Sequence, residues 1–206
     1  MTDVVRGDDG VRRCAWGAST PDYTEYHDDE WGRPVTDDAR IFEKLCLEGF
    51  QSGLSWLTIL RKREGFRQGF AGFDPAAVAK FGARDIKRLL GDASIVRHRG
   101  KIEATIANAR ATVALREAGT PLERLFWEHR PARPRRAGTG LDWQATTPES
   151  VALSKALRRA GFRFVGPTTA YAAMQACGVV NDHIARCIVR KAVEAERQSV
   201  LTDALW

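Results

Sequence analysis

The sequence predicts an all-α fold. Apolar residues recur at helical spacing over most of its 206 residues, capping chemistry brackets those stretches, and sustained strand-type alternation is absent. Residues 38–49 repeat apolar positions at Ile41, Phe42, Leu45, Cys46 and Gly49, the stripe of a core-facing helix behind a Thr36-Asp37 cap. Leu54, Leu57, Ile59 and Leu60 begin a second helix. Asp74-Pro75 supplies an N-cap with proline in the first turn, opening a short helix through Lys80. Short and long helices follow over 83–90 and 101–117, the latter stopped by Gly119. Thr147-Pro148 starts a helix through Arg159, with Gly161 beyond its end. Another runs from Thr168 to Cys177, and a last one from about Asp182 onward. Residues 128–140, E-H-R-P-A-R-P-R-R-A-G-T-G, read as an exposed solvated loop, with phosphate contact as the alternative.

No repeat or linker divides the chain. One domain is expected over residues 12–190, with terminal extensions 1–11 and 191–206. A hydrophobic content of 44% excludes a disordered chain, and no apolar run approaches a membrane span or a signal core. The expected compartment is therefore the cytoplasm, where four cysteines read as thiols or metal ligands rather than disulfides. The net charge of +6 suits either a polyanionic partner or a solvated Arg-rich surface.

His183 and Cys187 stand four apart, so on the helix expected from Asp182 they share one face. Cys46 lies in an apolar stripe and Cys177 ends an apolar helix, which makes both core thiols. His98 and His129 have arginine neighbours that disfavour a cation. Cys14 and His27 remain to complete a Cys2His2 set. Thiolate and imidazole suit zinc over magnesium or calcium, and four protein ligands would make the ion structural. Spacing by itself leaves a metal site and ordinary side chains equally open. Such a site would clip residue 14 to residue 187, worth roughly 5 kcal/mol in the chain-entropy picture.

Six blocks together carry a resemblance: R-C-A-W (13–16), Y-H-D-D-E-W-G (26–32), C-L-E-G-F-Q-S-G-L-S-W (46–56), R-H-R-G-K-I (97–102), F-V-G-P-T (164–168) and M-Q-A-C-G-V-V-N-D-H (174–183). From about Arg13 to about Arg190 the chain resembles the bacterial 3-methyladenine DNA glycosylase I family. The resemblance implies a helix-hairpin-helix glycosylase that flips a damaged base from duplex DNA and cuts its N-glycosidic bond. It implies that Cys14, His27, His183 and Cys187 hold a structural zinc. It assigns Glu48 to the polar edge of 3-methyladenine, Tyr26 to a second polar contact, Trp56 to a stacking wall and Trp16 to the aromatic pocket. Tyr23 and Trp31 fall in the same aromatic block. Without the resemblance, these residues read rather as ordinary core aromatics and a surface glutamate.

For DNA, residues 93–102 match the hairpin, whose amides, that of Gly100 included, and whose Arg97, Arg99 and Lys101 would hold phosphates. Gln51 and Leu54 match the positions that fill the gap left by a flipped nucleotide. Two departures stand out. Residues 104–141 contain no Asp of the kind many helix-hairpin-helix glycosylases use, an absence the resemblance itself predicts. Phe50 stands where a polar residue is expected, and is read as narrowing the pocket mouth or altering insertion. The expected partner is duplex DNA carrying 3-methyladenine, bound by a monomer. Two alternatives remain at this stage: a zinc-stabilised DNA-binding module without activity, and a bifunctional glycosylase and lyase using Lys101 as nucleophile. The tail beyond Arg190 carries no functional signal.

Overall fold

A computed structural model describes residues 4–133 and 144–203. The protein is mostly helical, as the spacing predicts. The helices are α1 (Pro21–Asp29), α2 (Asp38–Gln51), α3 (Trp56–Gly69), α4 (Pro75–Val78), α5 (Ala83–Gly91), α6 (Arg99–Glu117), α7 (Leu122–Glu128), α8 (Pro148–Arg159), α9 (Pro167–Ala176) and α10 (Arg190–Asp203). Three of them begin where the caps place them. Asp37, Asp74 and Thr147 each accept a hydrogen bond from a first-turn amide of the helix they precede. Gly119 and Gly161, at φ +74° and +97°, let the chain leave α6 and α8 in the left-handed region.

Helix α2 is the axle of the fold. It packs on α9, α6, α3 and α7, and its apolar positions Ile41, Phe42, Leu45 and Cys46 are buried. Trp127 of α7 is fully enclosed and donates its indole N–H to the Val35 carbonyl just ahead of α2. Helix α8 packs on α9, and α4 and α5 pack on α6.

Four expectations need correction. The chain from 181 to 189 forms turns, and α10 starts only at Arg190, so His183 and Cys187 share no helix. Helix α6 begins two residues early because His98 Nδ1 accepts from the Lys101 amide and supplies an N-cap. Helices α1 and α7 were not anticipated: the polar α1 lacks a clean apolar stripe, and seven-residue α7 is too short to show a period. A small antiparallel hairpin pairs β1 (Val4–Arg6) with β2 (Arg12–Cys14), with Val4 opposite Cys14. Of the Arg/Pro loop, residues 134–140 lie outside the described residues. The tail is built into the body. Buried Arg197 of α10 donates to the Gly178 and Val179 carbonyls, and Val193 packs with Cys14, Ile184 and Cys187. No helix among the described residues is long and apolar enough to cross a membrane.

Candidate functional site

The chain turn Ala15–Ala18, α1, the end of α2, the start of α3 and α9 meet around a pocket of about 280 Å³. That lies near the lower end of the roughly 300–1,000 Å³ found for ligand sites, a size suited to one flat ring system. Trp16, Tyr23, Tyr26, Trp31, Glu48 and Trp56 all line it. The ring of Trp16 meets Tyr23 edge-on at 5.6 Å and Trp31 edge-on at 5.0 Å, while Tyr26 and Trp56 lie tilted at 5.4 Å. Tyr23 also fixes the pocket wall, since its hydroxyl oxygen accepts from the Leu57 amide at 3.0 Å in the first turn of α3. The indole N–H groups of Trp16 and Trp56 are buried and have no partner among the described residues. An orphaned buried donor costs about 1–3 kcal/mol, so both are held ready for an acceptor.

Among the described residues Glu48 is the only carboxylate on this lining, and it is 7% exposed. Burial pushes its carboxyl up to about 8, with the Lys44 ammonium pulling weakly the other way. Lys44 is engaged elsewhere, in a 2.5 Å ion pair with Glu30 that Arg63 also joins. Burial, with the charges of Glu48 and Glu30, holds the Tyr26 phenol well above its ordinary value, so it stays a neutral O–H. The sequence reasoning missed Gln175 and Ala172 of α9, which complete the lining. Gln175 is oriented by its amide, which donates to Asp182 at 2.8 Å. Its block was among those carrying the resemblance, but nothing in its spacing marked a pocket.

Behind the aromatic wall, Cys14, His27, His183 and Cys187 converge, all buried, with their ligand atoms within 4.8 Å of one another. Cys187 Sγ lies 3.4 Å from His27 Nε2 and 3.6 Å from His183 Nδ1, and Cys14 Sγ lies 3.8 Å from His183 Nδ1. A tetrahedral ion with ordinary zinc bond lengths would separate sulfur from nitrogen by roughly 3.6 Å. The outer contacts agree. His183 Nε2 faces the Trp31 carbonyl at 3.0 Å, which can only accept, so Nδ1 carries the lone pair toward the sulfurs. His27 Nδ1 meets Asp28 at 2.7 Å, leaving Nε2 to the cluster, and Arg13 grips that carboxylate in turn. Burial would raise the Asp28 carboxyl, but Arg13 and His27 more than offset it and hold it below its usual value. Gly17 makes the approach possible: a Cβ there would sit 2.5 Å from the His27 ring. Trp31 touches both centres, edge-on to Trp16 and edge-on to His183 at 4.6 Å.

On the outer rim, Gln51 ends α2 against the pocket, and a turn through Gly53 at φ +82° leaves Leu54 exposed. Arg97 and Arg99 are exposed, Arg99 with a loose 3.5 Å pair to Glu103, and Gly100 lies in the first turn of α6. Two expectations fail here. Lys101 does not present its ammonium to phosphate. It is 7% exposed and donates to the Phe50 and Ser52 carbonyls at 2.8 and 2.6 Å, capping the end of α2. The Phe50 side chain does not reach the pocket mouth or the Gln51–Leu54 rim, because it points into the core against Phe66 at 4.6 Å and Phe70 at 5.9 Å.

Fold and site thus define a helical protein with an aromatic pocket sized for one base, backed by a buried Cys/His cluster. Comparison with known proteins narrows that class: the chain matches the methyladenine glycosylase family over residues 16–191 and belongs to it. It is 48% identical to DNA-3-methyladenine glycosylase 1 of Escherichia coli (strain K12) over 86% of this chain and 96% of that protein. Identity to the DNA-3-methyladenine glycosylase of Haemophilus influenzae is 42%, over 85% and 96% of the two chains. A solved 3-methyladenine DNA glycosylase I from Staphylococcus aureus superposes with a TM-score of 0.82 at 34% identity, covering 86% of this chain and 96% of that one.

Proposed function

We infer that this protein is a monofunctional DNA glycosylase that flips 3-methyladenine from alkylated duplex DNA and hydrolyses its N-glycosidic bond. The observation that carries this is Glu48, a buried carboxyl with no hydrogen-bond partner among the described residues, set in an aromatic pocket. The curated relatives bear the name of this activity, and a related enzyme of 34% identity was solved in complex with 3-methyladenine.

The chemistry follows from the lesion. Methylation at N3 makes the attached base a cation, so the electron pair of the glycosidic bond can leave with it as a neutral molecule. Little acid catalysis is needed. Electron-rich ring faces favour the cation over unmodified adenine. The cation's charge draws the raised Glu48 carboxyl back down, so that it loses its proton to solvent and accepts from the base's polar edge as a carboxylate. Tyr26, a neutral O–H, gives a second polar contact, and Trp56 and Trp16 supply stacking faces. Water then adds to the sugar carbon and loses a proton, which balances the hydrolysis.

The remaining parts serve positioning. A helix-hairpin-helix formed by α5, the turn 92–98 and α6 holds phosphates through Arg97, Arg99 and the Gly100 amide, while Gln51 and Leu54 fill the gap in the stack. Zinc fits the four-ligand cluster as a structural ion, because two thiolates balance its charge and no position stays open for substrate. The glycosylase unit is residues 12–190, acting as a monomer in the cytoplasm. A lyase step is disfavoured because both carbonyl contacts hold the Lys101 amine away from any sugar. A DNA-binding module without activity would have no use for the partnerless Glu48.

The deciding experiment incubates the protein with methylated duplex DNA and identifies the free base released. Release of 3-methyladenine with intact strands supports this reading. No free base, or strand cleavage at the abasic product, overturns it.

A further inference from the structure

Three large apolar side chains are exposed among the described residues: Leu54, Phe164 and Ile188. Leu54 has a role above; Phe164 has none. Phe164 is 41% exposed although its neighbours Phe162 and Val165 are buried. Its backbone sits at φ +55°, a left-handed conformation that a bulky residue adopts only when its surroundings impose it. The imposing contact is clear. Buried Asn108 of α6 takes both backbone groups of Arg163, donating to its carbonyl at 3.1 Å and accepting from its amide at 2.7 Å. The clamp fixes residue 163 and turns the next side chain outward.

The place it reaches is specific. A Cβ on Gly49 would lie 3.6 Å from that of Phe164, and one on Gly100 would lie 3.8 Å from the tip of its ring. The ring meets His98, the N-cap of α6, edge-on at 6.3 Å. Phe164 therefore wedges between the end of α2, which leads into the Gln51–Leu54 turn, and the start of α6. Lys101 stitches those same two elements together. Arg97 and Arg99 flank His98 along the chain, Arg163 directly precedes Phe164, and all three are exposed, so cationic side chains neighbour this apolar tip in sequence. A strained, clamped, exposed aromatic on segments that carry exposed arginines suits a polyanion that also offers flat apolar faces, which is what nucleobases give a wedge.

Resting on the function inferred above, we propose that Phe164 is a second DNA wedge, bearing on the bases beside the flipped nucleotide while Leu54 and Gln51 occupy the gap. It is a positioning residue: it stabilises opened duplex and never touches the excised base.

The test compares wild type with Phe164→Ala and Phe164→Leu on methylated duplex, methylated single strand and free 3-methyladenine, with thermal unfolding alongside. Phe164→Ala is expected to slow release from duplex about tenfold or more, the scale of one lost stacking contact. Excision from single strand, affinity for free base and the salt dependence of duplex binding should stay near wild type. Phe164→Leu, which restores an apolar wedge, should recover part of the duplex rate; it also decides the matter if the alanine variant fails to fold. Wild-type duplex rates in both variants would overturn the proposal while leaving the glycosylase reading intact. Equal losses on single strand and free base would make Phe164 merely structural and also overturn it. Failure of the wild type to release 3-methyladenine would sink the glycosylase reading, and this inference with it.

Discussion

The proposed function concentrates the chemistry in one side chain, Glu48, and two expected outcomes isolate it. Glu48→Gln keeps the shape, removes the charge and replaces one acceptor oxygen with a donor. A charged hydrogen bond is worth roughly 1.5–3 kcal/mol, so free 3-methyladenine should bind about ten- to a hundredfold more weakly in a titration. Affinity for intact duplex should not move, and Glu123→Gln is the control. Trp56→Ala should lose base affinity too, through about 1–3 kcal/mol of stacking. The same carboxyl makes stability depend on pH. Its folded value of about 8 exceeds the ordinary 4.5, so the folded state holds a proton that the unfolded chain has lost. Its contribution is fully present below pH 4.5 and is lost as pH rises through 8. Glu48→Gln does not titrate, so its melting temperature relative to wild type should climb between pH 5 and pH 9. A flat difference would mean the carboxyl is not elevated. Sequence named Glu48 and five pocket aromatics only through the resemblance, since a lone Glu after an apolar stripe reads first as a surface residue. The burial that gives it meaning comes from α1, α3 and α9 closing over it.

At the scale of elements, the join between α2 and α6 shows why residue type is a poor guide to role. Lys101 stands in a basic run beside Arg97 and Arg99 and shares their expected phosphate contact, yet it begins the first buried turn of α6 and caps α2 instead. Burial pulls its ammonium below the usual lysine range. Salt titration of duplex binding separates the two kinds of cation. Arg97→Ala and Arg99→Ala should each flatten the log–log slope by about one unit. Lys101→Ala should leave the slope unchanged while loosening the Gln51–Leu54 turn, seen as slower release from duplex and faster amide exchange at residues 52–54. A one-unit change in slope for Lys101→Ala would restore its phosphate role. Caps and stripes made most helices legible because they are local. Helix α1 and the start of α6 escaped, the first for want of a stripe and the second because its cap is a histidine.

Across the whole molecule, the Cys/His cluster ties β2 and α1 to the 181–187 turns, joining the two ends of the chain. Metal analysis should find about one zinc per chain, retained in Cys46→Ala and Cys177→Ala and lost in Cys14→Ala. Chelation should lower the melting temperature, the clip being worth roughly 5 kcal/mol, and should expose the hairpin to amide exchange first. Zinc-free protein of unchanged stability would refute the site. Helix α10 gives a second closure independent of the cluster, through Arg197 on the Gly178 and Val179 carbonyls. It lies almost wholly beyond the family match, which ends at residue 191.

What sequence alone determined was local or additive: helical class, most helix starts, net charge, and Cys14 and His27 as the candidates left to join His183 and Cys187. Those follow from period, capping and ligand chemistry, which neighbours along the chain settle. Tertiary structure decided what depends on distant segments meeting. It turned His183 and Cys187 from an assumed helical pair into residues that turns bring together with Cys14 and His27, and buried Phe50 and Lys101 where position suggested a rim. It also brought Gln175 to the pocket and forced Phe164 out of the core. The physical reason is common to all of these: burial and electrostatic role belong to the space between elements, and that space exists only once α2 is enclosed.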